Sequence, residues 1–216
     1  MLKMRDPYLY ADCPVLKNKL GIKDASLLDK AEIDITCNAI YNITVSPIDG
    51  NYDFDHLCKF HACISGNIYD WAGTPRAVAM EKGEAVLGYM SIEYAHPLHI
   101  NKEAATVLNR LNNTDWNSLS LENQARELSD RLAELWKIHP FREGNTRTII
   151  TFICQFAESK GLALDRTLFE QNAVYMRNAL VAATAIFRDG DFRKPEYLFR
   201  IVKDSLELGT GKKTVL

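Results

Sequence analysis

The sequence predicts an all-α, mainly helical domain that carries one short β-hairpin. Apolar residues recur at three- and four-residue intervals in several separate stretches, which is typical of amphipathic helices. Hydrophobic residues make up 47% of the 216 residues, enough for a substantial core. No repeat or low-complexity linker divides the chain. We therefore expect a single domain over residues 1–208, with its core at about 16–187, and a flexible tail at 209–216.

Two packing helices are expected before residue 66. The first runs from Asp24 to about Ile43, and the second runs from Phe54 to Ile64 before Gly66 breaks it. The apolar positions that set the first pattern are Leu27, Leu28, Ala31, Ile35 and Ala39. Their spacing places one apolar face toward a core.

The pattern changes between Arg76 and Ile100. Short apolar runs at 77–80 and 85–90 flank the polar segment Glu81-Lys82-Gly83-Glu84. Two such runs around a glycine-containing turn indicate a hairpin. We therefore predict a β-hairpin at residues 76–92, called the flap below, with Lys82 and Gly83 near its turn.

A pair of helices is predicted around Pro140. An amphipathic helix, capped by Ser118 or Ser120, should run into Ile138 and end at the proline. After Arg147 the chain is almost continuously apolar as far as Ala157, which indicates a buried central helix, with Gly161 as its C-cap. Two further helices are expected at 168–187 and 195–208.

The segment between these helices, residues 139–147, reads His-Pro-Phe-Arg-Glu-Gly-Asn-Thr-Arg. His139 can accept a proton near neutral pH, and Glu143 offers the hard oxygen ligand that Mg²⁺ prefers. Gly144 lets the backbone bend toward an anion, while Arg147 presents a planar fork that matches phosphate oxygens. The first backbone N–H groups of the following helix also favour phosphate. This mixture predicts a site for a nucleotide and a metal ion beside a base.

The segment resembles the signature of the Fic family, H-P-F-x-(D/E)-G-N-(G/K)-R. Eight of the nine positions fit, and Thr146 is the exception. Residues 15–22 and 68–73, followed by Arg76, resemble the family's N-terminal segments. The resemblance spans most of the chain from Leu16 to about Ala185.

The resemblance implies a Fic fold and a protein adenylyltransferase, which moves AMP from ATP to a Ser, Thr or Tyr hydroxyl of a target protein, or of itself, and releases pyrophosphate. It gives His139 the role of catalytic base and Glu143 that of Mg²⁺ ligand between the α- and β-phosphates. Phe141 would pack inward to fix the loop, and the flap would dock the target by strand pairing. The implied nucleotide-binding set is Phe141, Arg142, Gly144, Asn145, Thr146, Arg147, Lys82, Gly83 and Tyr175.

Two departures from the family pattern leave alternatives open. Thr146 replaces a small residue, so its side chain either crowds the phosphate nest or adds a hydroxyl contact. Ile150 stands where many members have a second arginine. The alternatives are phosphoryl transfer, as in the related Doc proteins, and a catalytically weak protein that binds nucleotide or a partner.

Regulation is predicted from a missing motif. Many Fic proteins carry an inhibitory helix with (S/T)-x-x-x-E-(G/N), and the single match here, residues 118–123, lies at the start of the helix that leads to the motif. Glu32 and Glu207 lack a Ser or Thr four residues earlier. We therefore expect restraint to come from a separate small antitoxin-like protein or from homo-oligomerisation.

Composition excludes several other functions. The net charge of −2 gives no general attraction to nucleic acid or membranes. The N-terminus lacks the apolar stretch of a signal peptide, so a cytoplasmic location is expected. Neither the five cysteines nor the pair His56 and His61 has the spacing of a zinc site.

Overall fold

The computed structural model describes residues 6–187 and 190–214, without the side chains of 212–214, and confirms the mainly helical class. Within these residues the helices are α1 Ala25–Val45, α2 Phe54–Ser65, α3 Ile100–Asn113, α4 Leu121–Ile138, α5 Asn145–Ser159, α6 Arg166–Gln171, α7 Ala173–Ala183 and α8 Glu196–Thr214. Short 3₁₀ turns lie at Ala85–Leu87, Pro97–His99 and Trp116–Ser118. None of the helices in the described ranges combines the length and apolar character needed to cross a membrane.

Helix α5 is the centre of the domain, as its apolar run predicts. All but a few of its side chains are buried, and it packs against α2 and α4. Phe152, for example, contacts the rings of Phe60 and Tyr52 edge to face. Because α5 is enclosed by its neighbours, its first turn is held in a fixed place.

Local capping sets the helix boundaries around the motif. Ser120, rather than Ser118, caps α4, because its hydroxyl accepts a hydrogen bond from the Asn123 amide. At the other end of α4, His139 has a left-handed backbone with φ 51°. Gly144, with φ 78°, precedes α5. The motif loop is therefore the short connection between two left-handed residues.

The flap differs from the predicted hairpin, because residues 76–92 contain no β-strand. The chain does double back: the Glu84 amide donates to Met90 O, and the Tyr89 amide donates to Glu84 O. Its tip is the 3₁₀ turn Ala85–Leu87, two residues beyond the predicted turn at Lys82-Gly83. Leu87 packs against the core beside α7. Side-chain packing therefore takes the place of the strand pairing that the two apolar runs indicated.

The described strands lie elsewhere, at Ile186–Phe187 (β1) and Gly190–Asp191 (β2), and they form one antiparallel pair. Strand β1 falls in the stretch 168–187 that the apolar pattern assigned to a single helix. That stretch is divided into α6 and α7 at Asn172, whose backbone has φ −120° and ψ 34°. Such a conformation lies outside the helical range and ends α6.

Helix α8 continues through residues 209–214, where the sequence predicted a flexible tail, and residues 215–216 lie outside the described range. Glycine content suggested a loose segment, yet Gly209 is buried. A Cβ there would lie 1.8 Å from Ala163 O. Ser205, one turn earlier, exchanges hydrogen bonds with the Asp165 backbone. Gly209 thus allows α8 to approach the loop before α6 closely.

We expect Gly209→Ala to destabilise the protein by about 1–3 kcal/mol, because the added methyl group forces α8 away from Ala163. Urea unfolding monitored by circular dichroism measures the change. Gly211→Ala is the matched control, since a Cβ there has no neighbour within 4 Å. That control should be neutral or stabilising by up to about 1 kcal/mol, because alanine favours helix. Equal effects of the two substitutions would contradict the close packing of α8.

Candidate active site

The motif loop is closed by Asn145, the first residue of α5. Its side-chain amide donates to Phe141 O at 2.7 Å and its Oδ1 accepts from the Phe141 amide at 2.8 Å. The Phe141 ring is fully buried and stacks on His61, with 3.9 Å between ring centroids. Phe141 therefore anchors the loop to α2, as the family resemblance implied. Asn145 acts through its side chain as a clamp on the loop.

His61 supports the loop as a neutral ring. Its Nδ1 accepts from the Gly73 amide at 2.7 Å, so the proton is on Nε2, which donates to Glu143 O at 3.0 Å. Burial lowers the pKa of His61 to about 4. This packing role agrees with the absence of a zinc spacing at His56 and His61.

His139 lies in an aromatic enclosure beside the start of α5. Its ring stacks on Tyr94 at 4.1 Å and meets Trp136 edge to face at 5.4 Å. Only 1% of the residue is exposed, and neither ring nitrogen has a hydrogen-bond partner among the described residues. Burial, assisted by the charge of Lys82, holds the pKa of His139 well below its usual value. The imidazole is therefore neutral and has a free nitrogen to accept a proton.

Arg76 positions the backbone of His139. Its Nε donates to His139 O at 2.8 Å, and its own amide donates to Pro140 O at 2.8 Å. The remaining guanidinium N–H groups reach the carbonyls of Val78 within the flap, Ala95 just after it and Ile138 at the end of α4. The side chain is buried and has no carboxylate partner in the described structure. Arg76 thus connects the flap to the motif loop by hydrogen bonds to backbone carbonyl groups alone.

Glu143 is paired with Lys82, which the sequence placed at the flap turn. Lys82 Nζ lies 2.9 Å from Glu143 Oε2, while Oε1 accepts from the Gly144 amide at 3.0 Å. Burial opposes ionisation, but Lys82 and the Gly144 N–H outweigh it and lower the pKa of Glu143 to about 2. The carboxylate is therefore charged at neutral pH.

One carboxylate fits a Mg²⁺ ion that takes its other ligands from phosphates and water. In the parts of the chain that the structure describes, no cluster of three acidic, His or Cys side chains forms a fully protein-built metal site. Glu143 is consequently the residue that would hold such an ion, in the place where Lys82 now contributes the positive charge.

Arg147 is engaged by α1, a contact that the sequence did not predict. Its Nη2 lies 3.2 Å from Glu32 Oε2, and its Nη1 donates to Thr36 Oγ1 at 3.1 Å. Glu32 is buried and also accepts a hydrogen bond from the Tyr69 hydroxyl. Burial raises the pKa of Glu32, and Tyr69 and Arg147 oppose that rise. Arg147 thus has a resting counterion inside the domain.

Thr146 adds a hydroxyl contact beside the first turn of α5. Its Oγ1 accepts from Trp136 Nε1 at 2.9 Å and lies 3.4 Å from Nη1 of Arg177 on α7. The side chain is therefore directed toward α4 and α7. The amides of Asn145, Thr146 and Arg147 have no acceptor within the helix because they belong to its first turn.

A cavity of about 700 Å³ lies between the flap tip and α7. Its walls include Val86, Leu87 and Met90 of the flap, and Tyr175 and Asn178 of α7. Tyr175 is 40% exposed, and its hydroxyl donates to Tyr197 O. The structure thus brings Tyr175 to a mostly apolar pocket between α7 and the flap tip, whose lining includes none of residues 139–147.

Two members of the predicted nucleotide set have other contacts. Arg142 forms an ion pair with Asp6 at 2.7 Å, as Arg147 does with Glu32, and its role in nucleotide binding stays a prediction. At Gly83, an added Cβ would lie 3.1 Å from Tyr89 O, which gives the glycine a role in the flap turn. Sequence reasoning missed the site contacts of Glu32, Tyr94 and Arg177, because no local pattern marks them.

Comparisons with known proteins agree with this arrangement. A sequence profile described as the Fic/DOC family matches residues 51–157. The protein adenylyltransferase VbhT of Bartonella schoenbuchensis is 31% identical over 74% of this chain, which spans 32% of that relative. The probable protein adenylyltransferase y4lH of Sinorhizobium fredii is 31% identical over 77% of this chain and 83% of its own length. The chain thus spans about a third of the length of the first of these curated relatives.

Solved structures show the same fold. The N-terminal Fic domain of a Bartonella quintana effector superposes with a TM-score of 0.74 at 24% identity and covers 97% of both chains. BepC of Bartonella tribocorum, solved with bound AMPPNP, gives a TM-score of 0.75 at 22% identity and covers 92% of this chain and 95% of BepC. Together with 31% identity over most of the Sinorhizobium relative, these matches show that the chain belongs to the Fic/DOC family.

Proposed function

We propose that this protein transfers AMP from ATP to a hydroxyl side chain of a target protein, and to itself when such a hydroxyl reaches the site. The single observation that carries the proposal is His139, a buried neutral imidazole whose ring nitrogens have no hydrogen-bond partner among the described residues, beside the first-turn amides of α5. The names of the relatives, all protein adenylyltransferases or probable ones, support the same reaction.

In this reaction His139 accepts the proton of the incoming hydroxyl. The oxygen attacks the α-phosphorus of ATP, the bond from that phosphorus to the bridging oxygen breaks, and pyrophosphate leaves. A positioned base contributes roughly 10²–10⁴-fold to the rate of such a step. The first-turn amides of α5 and the Arg147 guanidinium are placed to hold the phosphate oxygens. Mg²⁺ held by Glu143 would supply further neutralisation of phosphate charge.

The cavity beside the flap is our proposed seat for the adenosine. Its walls are mostly apolar, and Tyr175 offers an aromatic face on which a base can stack. The target protein would dock along the flap, where residues 77–83 run without a helix or strand of their own. Backbone groups outside a helix or sheet can offer hydrogen bonds to a neighbouring chain.

The reaction class is tested with ATP labelled at either the α- or the γ-phosphate, together with Mg²⁺, the purified chain and candidate target proteins. We expect protein-bound label from α-labelled ATP alone, with a loss of at least 10²-fold in rate for His139→Ala. Label from the γ position would indicate phosphoryl transfer instead. Absence of label from both, while ATP still binds, would favour a catalytically weak binding protein.

The protonation state of His139 is tested by NMR of the ¹⁵N-histidine-labelled protein, with His139→Ala used to assign the resonances. We expect His139 to stay neutral from pH 8 down to pH 6, because burial and Lys82 lower its pKa. Lys82→Met should raise that pKa, since one nearby positive charge is removed. Titration of His139 at or above pH 6.5 in the unaltered protein would contradict its assignment as a neutral base.

Restraint of the activity is the second part of the proposal. The sequence pointed to a separate small inhibitory protein or to homo-oligomerisation, because no Ser or Thr precedes Glu32 by four residues. The hydroxyl instead follows Glu32 by four residues, at Thr36, and both side chains hold Arg147. We therefore propose that Glu32 competes with nucleotide phosphate for Arg147, and that an inhibitory partner would act on top of this contact.

Glu32→Gln should raise the affinity for Mg²⁺-ATP by roughly two- to tenfold, because the substitution removes the charge that neutralises Arg147. Isothermal titration calorimetry measures this change, and self-labelling with α-labelled ATP should rise with it. Glu207→Gln is the control, since Glu207 faces Lys203 on α8. Unchanged or weaker ATP binding by Glu32→Gln would refute competition and leave restraint to a partner.

A further inference from the structure

Arg177 on α7 occupies a place beside the phosphate-binding end of α5 that neither the motif nor the family profile covers. Its Nη1 lies 3.4 Å from the hydroxyl of Thr146, the second residue of α5. The guanidinium is therefore within reach of a group bound at the first turn of that helix. Its side chain is 38% exposed, so part of it can meet a ligand.

The partner of Arg177 comes from the flap. Nη2 of Arg177 lies 2.8 Å from Glu84 Oε1, and the Glu84 side chain is only 7% exposed. Glu84 also forms the backbone hydrogen bonds that close the flap tip. The Arg177 contact thus joins three elements: the flap, α7 and the start of α5.

Arg177 shares its helix with two residues of the proposed adenosine pocket. Tyr175 and Asn178, on the same helix, line the cavity beside the flap tip. Arg177 itself is not among the lining residues, and its contacts are with Thr146 and Glu84. A ligand with its base in the cavity and its phosphates on α5 would bring those phosphates to the end of α5 that Arg177 contacts.

The charges around the start of α5 follow one pattern. Lys82, Arg147 and Arg177 each lie there, and each is paired with one carboxylate, from Glu143, Glu32 and Glu84 respectively. Planar guanidinium groups bind phosphate in the same geometry as carboxylate. A polyphosphate can therefore replace Glu84 on Arg177 without a new arrangement of the arginine.

We infer that Arg177 is a phosphate-binding residue for the nucleotide, and that Glu84 is the counterion that holds it in place before the nucleotide arrives. This inference rests on the proposed function, because it takes ATP as the ligand. The alternative is a purely structural ion pair, in which Arg177 only ties the flap to α7.

The two readings differ in which ligands Arg177→Met affects and in the sign of the effect of Glu84→Gln on ATP binding. If Arg177 binds phosphate, Arg177→Met weakens the affinity for ATP and inorganic tripolyphosphate by roughly tenfold to a hundredfold. The same substitution changes the affinity for adenosine by less than about twofold. Arg177→Lys should keep part of the affinity, since it keeps the charge. Glu84→Gln should tighten the binding of ATP, because it removes the negative charge that is paired with the Arg177 guanidinium. A structural ion pair predicts that losing either partner weakens binding of ATP and adenosine alike.

The experiment is calorimetric titration of each folded variant with ATP, tripolyphosphate and adenosine, at fixed Mg²⁺, with thermal unfolding monitored by circular dichroism as the check on folding. Arg110→Met is the matched control, because Arg110 pairs with Glu134 between α3 and α4 at 2.9 Å, away from the motif. The double variant Glu84→Gln/Arg177→Met separates release of Arg177 from simple loss of a negative charge. We expect Glu84→Gln to add no affinity once Arg177 is absent.

Three results would overturn the inference. They are ATP affinity unchanged in Arg177→Met, equal losses for ATP and adenosine, and a gain from Glu84→Gln that persists in the double variant. Each of these leaves the proposed transferase activity intact, provided the unaltered chain binds ATP. Failure of the unaltered chain to bind ATP or tripolyphosphate would overturn both this inference and the proposed transferase activity.

Discussion

The active arrangement depends on one pair of hydrogen bonds, those between the Asn145 side chain and the backbone of Phe141. This pair closes the loop between α4 and α5 while both flanking residues, His139 and Gly144, are left-handed. A non-glycine residue in that conformation is costly unless its surroundings hold it. The surroundings here are Arg76, which binds the His139 carbonyl, and the stack of Phe141 on His61. The loop therefore presents His139 and the first amides of α5 in one fixed relation.

The position of that loop determines how charge is distributed around the start of α5. The helix end carries partial positive charge, and three cationic side chains are placed around it. Such an accumulation would be unfavourable in a folded protein with no ligand, and each cation has a carboxylate within 3.2 Å. Glu32 and Glu84 are buried, so they cannot turn to water when a ligand arrives. On the proposed function, nucleotide binding would exchange the anions paired with these cations, and its affinity would be a difference between two sets of ion pairs.

The sequence predicted the structural features that depend on residues close together in the chain. Helix α4 up to Ile138, the buried α5 and the cap at Ser120 follow from periodicity and from local hydrogen bonds. It could not predict the partners of the motif, because Glu32 and Arg147 are 115 residues apart and Glu84 and Arg177 are 93 apart. The apolar runs in the flap indicated strands, but this segment forms a 3₁₀ turn in which Leu87 packs beside α7. Composition likewise mistook Gly209 for a flexible residue, since only the fold shows the backbone of Ala163 beside it.

Thr146, the one departure within the motif, is explained by this network. Trp136 is fully buried, and its indole N–H has Thr146 Oγ1 as its acceptor. A glycine at position 146 would leave that donor unpaired, at a cost of about 1–3 kcal/mol. The same hydroxyl lies against Arg177, so the β-branched side chain is directed to α4 and α7 and leaves the first-turn amides open. The threonine therefore does not close the phosphate nest. It connects the start of α5 to Trp136 of α4 and to Arg177 of α7.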